Sequence, residues 1–166
     1  MNSTKKIAQK VLLDREAHAI ARRFAVKQAT PQKGKQTYLN TLAVYAVHNY
    51  LKWLQIESDL SSSDSWHLLE QTLFNVADLV LPNIGKLECC PVQPGESAIT
   101  LPLEAMENRI GYVAVQFSNC LNEVKLLGFM KATAISPDSQ QILVANLQPL
   151  DTLLDCLPDA VASPAL

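Results

Sequence analysis

The feature that most narrows the folds open to this chain is the stretch from Thr30 to Leu54. Thr30 followed by Pro31 is a helix start, because the hydroxyl can cap free N–H groups and proline's fixed φ and missing N–H suit the first helical position. Beyond it Leu39, Leu42, Ala43, Ala46, Tyr50, Trp53 and Leu54 recur at spacings of three and four, with Val47 widening the stripe. Asn40, Thr41, His48, Asn49 and Lys52 fill the remaining positions. A helix over 31–55 would be roughly 36 Å long, enough to run along a whole small domain. A ridge of that length needs cover, so neighbouring strands are expected to bury it, Trp53 included.

Upstream, a first helix is expected to begin near Asp14, with Ile7, Val11, Leu12 and Leu13 as a lead-in or an extra turn. Ala17, Ile20, Ala21 and Phe24 fall on one face of it, and Arg15, Arg22, Arg23 and Lys27 lie mostly elsewhere. Downstream, Ser61, Ser62, Ser63, Asp64 and Ser65 make a polar loop before Trp66, and residues 67–74 form a short third helix. The period then changes. Residues 77–81 and 86–92 flank Pro82, Asn83, Ile84 and Gly85, which is hairpin chemistry. Residues 98–101 form a short strand and 102–109 a helical turn. In 110–117, Val113, Val115 and Phe117 share one face while Tyr112, Ala114 and Gln116 share the other. Residues 124–131 alternate in the same way after a longer loop, 142–145 make a last strand, and Pro149 starts a short helix through Leu157 that Pro158 ends. The fold expected is α+β: an N-terminal helix pair packed on a small antiparallel sheet or partly closed barrel, with a short C-terminal helix. One domain is expected over residues 1–166, divided into a helical layer at 12–58, a mainly β part at 76–146, a helix at 149–157 and a loose tail at 159–166.

At 166 residues, 48% apolar and 18% charged, the chain can bury roughly 70% of its unfolded surface around one core without a metal or a staple. The longest apolar runs, near 42–54 and 110–117, are broken well before the roughly 20 residues of a bilayer span. Gln9 and Lys10 interrupt what would have to be the apolar part of a leader, so a cytoplasmic protein is expected, with Asn2 unmodified in its sequon. Cys89, Cys90, Cys120 and Cys156 lack zinc-site spacing and read as reduced thiols. Cys89 and Cys90 should point to opposite faces of one strand, one into the core and the other exposed or under the helices. Charge is uneven: residues 1–35 hold nine Lys and Arg against two acids, net +7, while the rest hold five against fourteen, net −9, together −2.

Glycines 34, 85, 95, 111 and 128 stand too far apart for a phosphate cradle, and no nucleophile elbow or zinc-binding histidine pair occurs. No catalytic residue, cofactor or metal ligand is therefore assigned. His18, His48 and His67 read as boundary or capping side chains. Glu104 and Glu107, with Arg109, are the one acidic cluster near a turn, and read as the solvated side of a connector. Tyr45 lies off the main stripe and Trp66 sits in a polar loop, so these two are the candidates for an exposed, partner-facing patch, beside Arg15, Arg22 and Arg23.

The stretch TPQKGKQTYLNTLAVYAVHNYLKWLQIESDL with SDSW after it, then NVADLVLPNIGKLECCPV, RIGYVAVQF and LLGF, resembles an uncharacterised cyanobacterial domain family, domain of unknown function 1822. The resemblance covers about residues 17–157. It implies no activity, cofactor or catalytic residue, but genes of the family often stand beside those of sigma factors, a hint of regulation. The expectation is a noncatalytic regulatory or adaptor protein acting through a protein partner, with sigma-factor or transcription control as its sharpest form. One rival is a nucleic-acid binder using Lys5, Lys6, Lys10, Arg15, Arg22 and Arg23, against which the acidic remainder argues. The other is an enzyme of unrecognised type around Cys89, Cys90 and His48.

Overall fold

The computed structural model describes residues 8–136 and 138–157. Expectations attached to Asn2, Lys5, Lys6, Ile7, Pro158 and the 159–166 tail lie outside these residues. In chain order the elements are β1 (Gln9–Leu12), α1 (Arg15–Ala25), α2 (Pro31–Trp53), α3 (Leu68–Leu73), β2 (Asp78–Leu81), β3 (Gly85–Val92), β4 (Ala98–Thr100), β5 (Gly111–Phe117), β6 (Glu123–Lys131) and β7 (Gln141–Leu143). Short 3-10 turns lie between them, and a longer one, Leu150–Cys156, takes the place of the expected C-terminal helix.

Both N-terminal helices start where their caps dictate. The amide of Ala17 donates to Asp14 Oδ1 at 2.8 Å, and that of Lys33 to Thr30 Oγ1 at 3.1 Å. Ahead of Asp14, residues 9–12 form a strand and not a helical turn. Gln9 and Val11 are half-buried while Lys10 and Leu12 are exposed. This two-residue alternation lets Val11 lean on the core while the backbone pairs with β6.

α2 is buried on every side through its middle, from Leu39 to Val47 without a break. α1 covers it on one side and the main sheet on another, so the helix is an axis of the fold and not a surface stripe. It ends in a Schellman motif: the Ile56 amide donates to Leu51 O at 2.8 Å and the Gln55 amide to Lys52 O at 2.9 Å, with Gln55 at φ 63°. That left-handed conformation suits glycine, so Gln55→Gly is expected to raise stability by about 0.5–1 kcal/mol, measurable as a shift of the urea midpoint at unchanged slope. Trp53 is 71% exposed, against the expectation that the ridge buries it. Two residues turn a helix by about 200°, so a chain that points Leu51 inward at the last covered level points Trp53 outward.

The main sheet has the order β1-β6-β5-β3-β2 and is curled into a half-barrel. The fold is therefore α+β, but the sheet is mixed, because β3 and β5 run parallel while the other pairs are antiparallel. The β2–β3 hairpin turns through Pro82 and Asn83, the latter at φ 64°, with the Ile84 amide on Leu81 O at 3.0 Å. Proline then a left-handed asparagine is the pairing a type II turn favours. Parallel strands need a crossover, and here it carries β4, which pairs with β7 as a two-stranded ribbon. Ile99 and Leu101 from the crossover, with Ile142 and Leu147, cover the face of the sheet away from the helices. Both faces of β3 and β5 are thus buried, as for parallel strands generally. Cys89 enters the helix-side core and Cys90 the opposite one, so neither is exposed.

Candidate functional site

A buried polar network fixes the loop that carries Trp66. Asp78, wholly buried on β2, accepts the amides of Asp64 at 3.0 Å and Ser65 at 2.7 Å, while the Ser65 hydroxyl donates to Asp78 O at 2.6 Å. Ser63 Oγ accepts the Val80 amide at 3.0 Å and donates to Asp59 O at 2.8 Å, and the Asp59 amide donates to Val80 O at 2.8 Å. The loop thereby covers the outer edge of β2, and Lys86 Nζ lies 3.2 Å from Asp64 and 3.6 Å from Asp78 to balance the charge. The SDSW residues are thus tied to structural partners.

Held this way, Trp66 meets Phe24 edge-on at 5.5 Å between ring centroids and stacks on Tyr45 at 6.5 Å. Tyr45 is 8% exposed, which corrects the expectation of an exposed side chain: the position off the main stripe is covered because α2 is enclosed all round. Its hydroxyl is pushed above the ordinary tyrosine range, first by burial and then by Asp14 and Glu16. Trp66 is half-buried against the core, and only part of it faces out. Sequence reasoning picked these two residues separately. The structure makes them one stack, clamped between α1 and α2.

Arg15, Arg22 and Arg23 are exposed on α1, and Lys27 is exposed in the turn that follows it. Among the described residues none of them takes part in a salt bridge; the bridges found there join Lys10 to Glu123, Lys86 to Asp64 and Asp78, and Arg109 to Glu88. The outward face of α1 therefore carries Arg15, Arg22 and Arg23 with Glu16 as its one acid, and lies beside the Phe24–Trp66–Tyr45 cluster.

Side chains raised for catalysis are dispersed. Cys89 and Cys90 are buried, and burial holds both thiols well above their ordinary range, the reverse of nucleophile activation. His48 Nδ1 pairs with Ser58 Oγ at 2.6 Å, and burial followed by Lys52 lowers its pKa. His18 pairs with the Tyr38 hydroxyl and His67 Nε2 with Ser61 O at 2.7 Å. The Glu104, Glu107 and Arg109 cluster is split: both acids are exposed, whereas Arg109 turns inward and its Nε lies 2.9 Å from Glu88 Oε1. Among the described residues no three His, Cys, Asp or Glu side chains gather as metal ligands, and no helix is long and apolar enough to cross a membrane.

Sequence reasoning missed the surface of α3. Leu69 and Leu73 are 64% and 63% exposed, with Leu68 and Phe74 partly so, while the polar Gln71 is buried. The spacing of Leu69 and Leu73 signalled one helical face, but periodicity does not say whether that face turns in or out.

A family model described as Protein of unknown function (DUF1822) matches residues 11–165. No curated protein and no solved structure matches the chain. The family match spans the helix pair, the Asp78-anchored loop and both β layers together, and this chain belongs to the DUF1822 family.

Proposed function

We propose that this protein is a noncatalytic regulatory or adaptor protein that acts by binding another protein through the outward face of α1 and the surface beside it. The observation that carries this reading is the row of exposed cations Arg15, Arg22, Arg23 and Lys27, which meet no carboxylate within the described chain. Electrostatic complementarity of this kind steers encounter and selects partners. Sigma-factor or transcription control is the sharpest form of the reading, and rests on the gene neighbourhood that the family resemblance implies. A cytoplasmic setting and a cyanobacterial source go with it.

The test is affinity capture with mass spectrometry in the organism of origin, using the wild type and an R15E/R22E/R23E variant. A protein partner is expected with the wild type and is expected to be lost with the variant. Arg22 and Arg23 stand in the last turn of α1, where reversal to glutamate opposes the helix dipole by about 0.3–1 kcal/mol each, so loss of capture reports on the surface once urea unfolding shows the variant to be folded. Recovery of no stable partner, or equal recovery by the variant, counts against the proposal.

The same cations could grip phosphates, which makes nucleic acid the competing occupant. The −9 balance of residues 36–166 opposes it. A gel shift at low salt is expected to show no complex, whereas a complex whose affinity falls steeply with added salt would favour the nucleic-acid reading.

A further inference from the structure

We infer that α3 and the adjoining α1–α2 corner form a docking ridge for an acidic amphipathic helix of a partner protein. This rests on the adaptor reading above and names the chemistry of the partner.

α3 is turned inside out, and the structure holds it that way. Gln71 is 4% exposed and its Nε2 donates to Ser65 O at 2.7 Å, inside the network anchored by Asp78. Among the described residues no group donates to Gln71 Oε1. Rolling the helix over would bury Leu69 and Leu73 and release the amide to water. Both ends of α3 prevent it. At its start, Trp66 is packed against Phe24 on the last turn of α1; at its end, Lys33 Nζ from the first turn of α2 holds Phe74 O at 2.9 Å. The exposed leucines are thus a fixed feature of the surface beside the α1–α2 corner, where hydrophobic gain is forgone in the isolated chain.

The corner supplies relief and charge. A shallow groove of about 470 Å³ lies there, lined in part by Ala25, Val26, Ala29, Pro31 and Gly34, and Val26 is itself 73% exposed. Lys27 and Lys35 each follow a lining residue in the chain, Arg22 and Arg23 lie on the turn of α1 that leads into it, and all four are exposed and form no salt bridge among the described residues. An apolar ridge and groove edged by unpaired cations fit a helix with leucine-like side chains on one face and carboxylates along its margin. Glu70 on α3, which is only partly exposed, and Glu104, whose charge acts on Lys33, are neighbouring acids. Among the described residues the acidic helical segment of this chain is the 3-10 helix Leu150–Cys156 with Asp151 and Asp155, and its Leu150 and Leu153 are already buried in its own core. A second copy therefore lacks the required complement, and the relief of ridge and groove suits a rod better than a flat lipid surface.

The experiment uses the full chain and fluorescence anisotropy. The probe is a labelled synthetic peptide about four helical turns long, with leucines at three-and-four spacing and glutamates elsewhere. Controls are a scramble of equal composition, a version with lysine for glutamate, and vesicles of phosphatidylcholine with phosphatidylglycerol. The acidic amphipathic peptide is expected to bind at least about tenfold more tightly than either control peptide. Binding should be lost in L69D/L73D and weakened in R22E/R23E, increasingly with salt; L69Q/L73Q carries the test if aspartate impairs folding. No preference over the scramble, full binding by both leucine variants, or stronger recruitment to vesicles than to peptide overturns the inference. A native partner that crosslinks to α3 through a segment with no acidic helix also overturns it, yet leaves the adaptor reading standing. Absence of any protein partner removes both.

Discussion

Replacing Arg109 with methionine is expected to lower the unfolding free energy by about 3–5 kcal/mol at neutral pH, because it strips the counter-charge from a buried carboxylate. Glu88 is 2% exposed; its Oε1 takes Arg109 Nε at 2.9 Å and its Oε2 takes the Ala77 amide at 2.8 Å. Burial, the largest influence, holds the Glu88 carboxyl above the usual carboxylate range, with Arg109 next and opposing it. Removing the guanidinium raises it further. A carboxyl whose folded pKa lies above its unfolded one makes the native state bind the extra proton, so stability falls as pH rises from the unfolded to the folded value. The deficit of the Arg109→Met protein should accordingly be largest at neutral pH and shrink as pH drops into the carboxylate range. Urea unfolding of both proteins at neutral pH and near the bottom of that range reads this directly. E88Q/R109M should recover most of the loss, since the amide keeps an acceptor for Ala77 without a charge. A pH-independent deficit would mean that the salt bridge is not what Arg109 contributes.

Phe129→Ala should cost a similar amount, about 3–5 kcal/mol, by opening a cavity under the helices where the ring is wholly buried. Phe129 also explains why residue 111 is glycine. A Cβ there would run into the Phe129 ring and come within 2.7 Å of Met130 O. Gly111→Ala is expected to cost about 1–3 kcal/mol through overpacking. The two changes should not add. With the ring gone the methyl still meets the Met130 carbonyl at 2.7 Å but no longer the ring, so part of the Gly111→Ala cost remains and the G111A/F129A protein is expected to be more stable than the sum of the single losses predicts. Thermal unfolding of the four proteins completes the cycle, and strict additivity would show that the ring is not what excludes a side chain at 111.

Neither effect could be anticipated from the chain alone, and the reason is the same in both. Glu88 and Arg109 are 21 residues apart, and they meet because the parallel register sets Glu88 beside Tyr112 and brings the start of β5 alongside β3. In the sequence Arg109 stands two residues from Glu107 and reads as a partner of the nearer acids. Proximity along the chain is a poor guide once a crossover returns a strand to the sheet. The strand 9–12 was hidden in a similar way: four residues hold too few side chains to separate a helical from an alternating pattern, and pairing with β6 decided the matter.

α2 shows how far pattern reading reaches. Its start at Thr30 and Pro31, its continuity and its apolar content are local properties, and they are where the sequence puts them. Which side of it meets water is not local. Because α1, the sheet and the 59–66 loop surround it, Tyr45 is covered at a position that looks peripheral on a helical wheel, and Trp53 is bare at one that looks central. α3 repeats the lesson in reverse, with its leucines outward and Gln71 inward.

By itself, then, the sequence determined the start of each N-terminal helix, the hairpin turn within residues 82–85, the alternation along β5 and the gathering of cations on the outer face of α1. All of these follow from backbone chemistry and spacing within a few residues. Tertiary structure alone decided the parallel pairing of β3 with β5, the burial of the Glu88–Arg109 pair, the enclosure of Tyr45 and the outward turn of α3. Each depends on which surfaces compete for the same neighbour, a free-energy comparison across the whole molecule that no short window of residues contains.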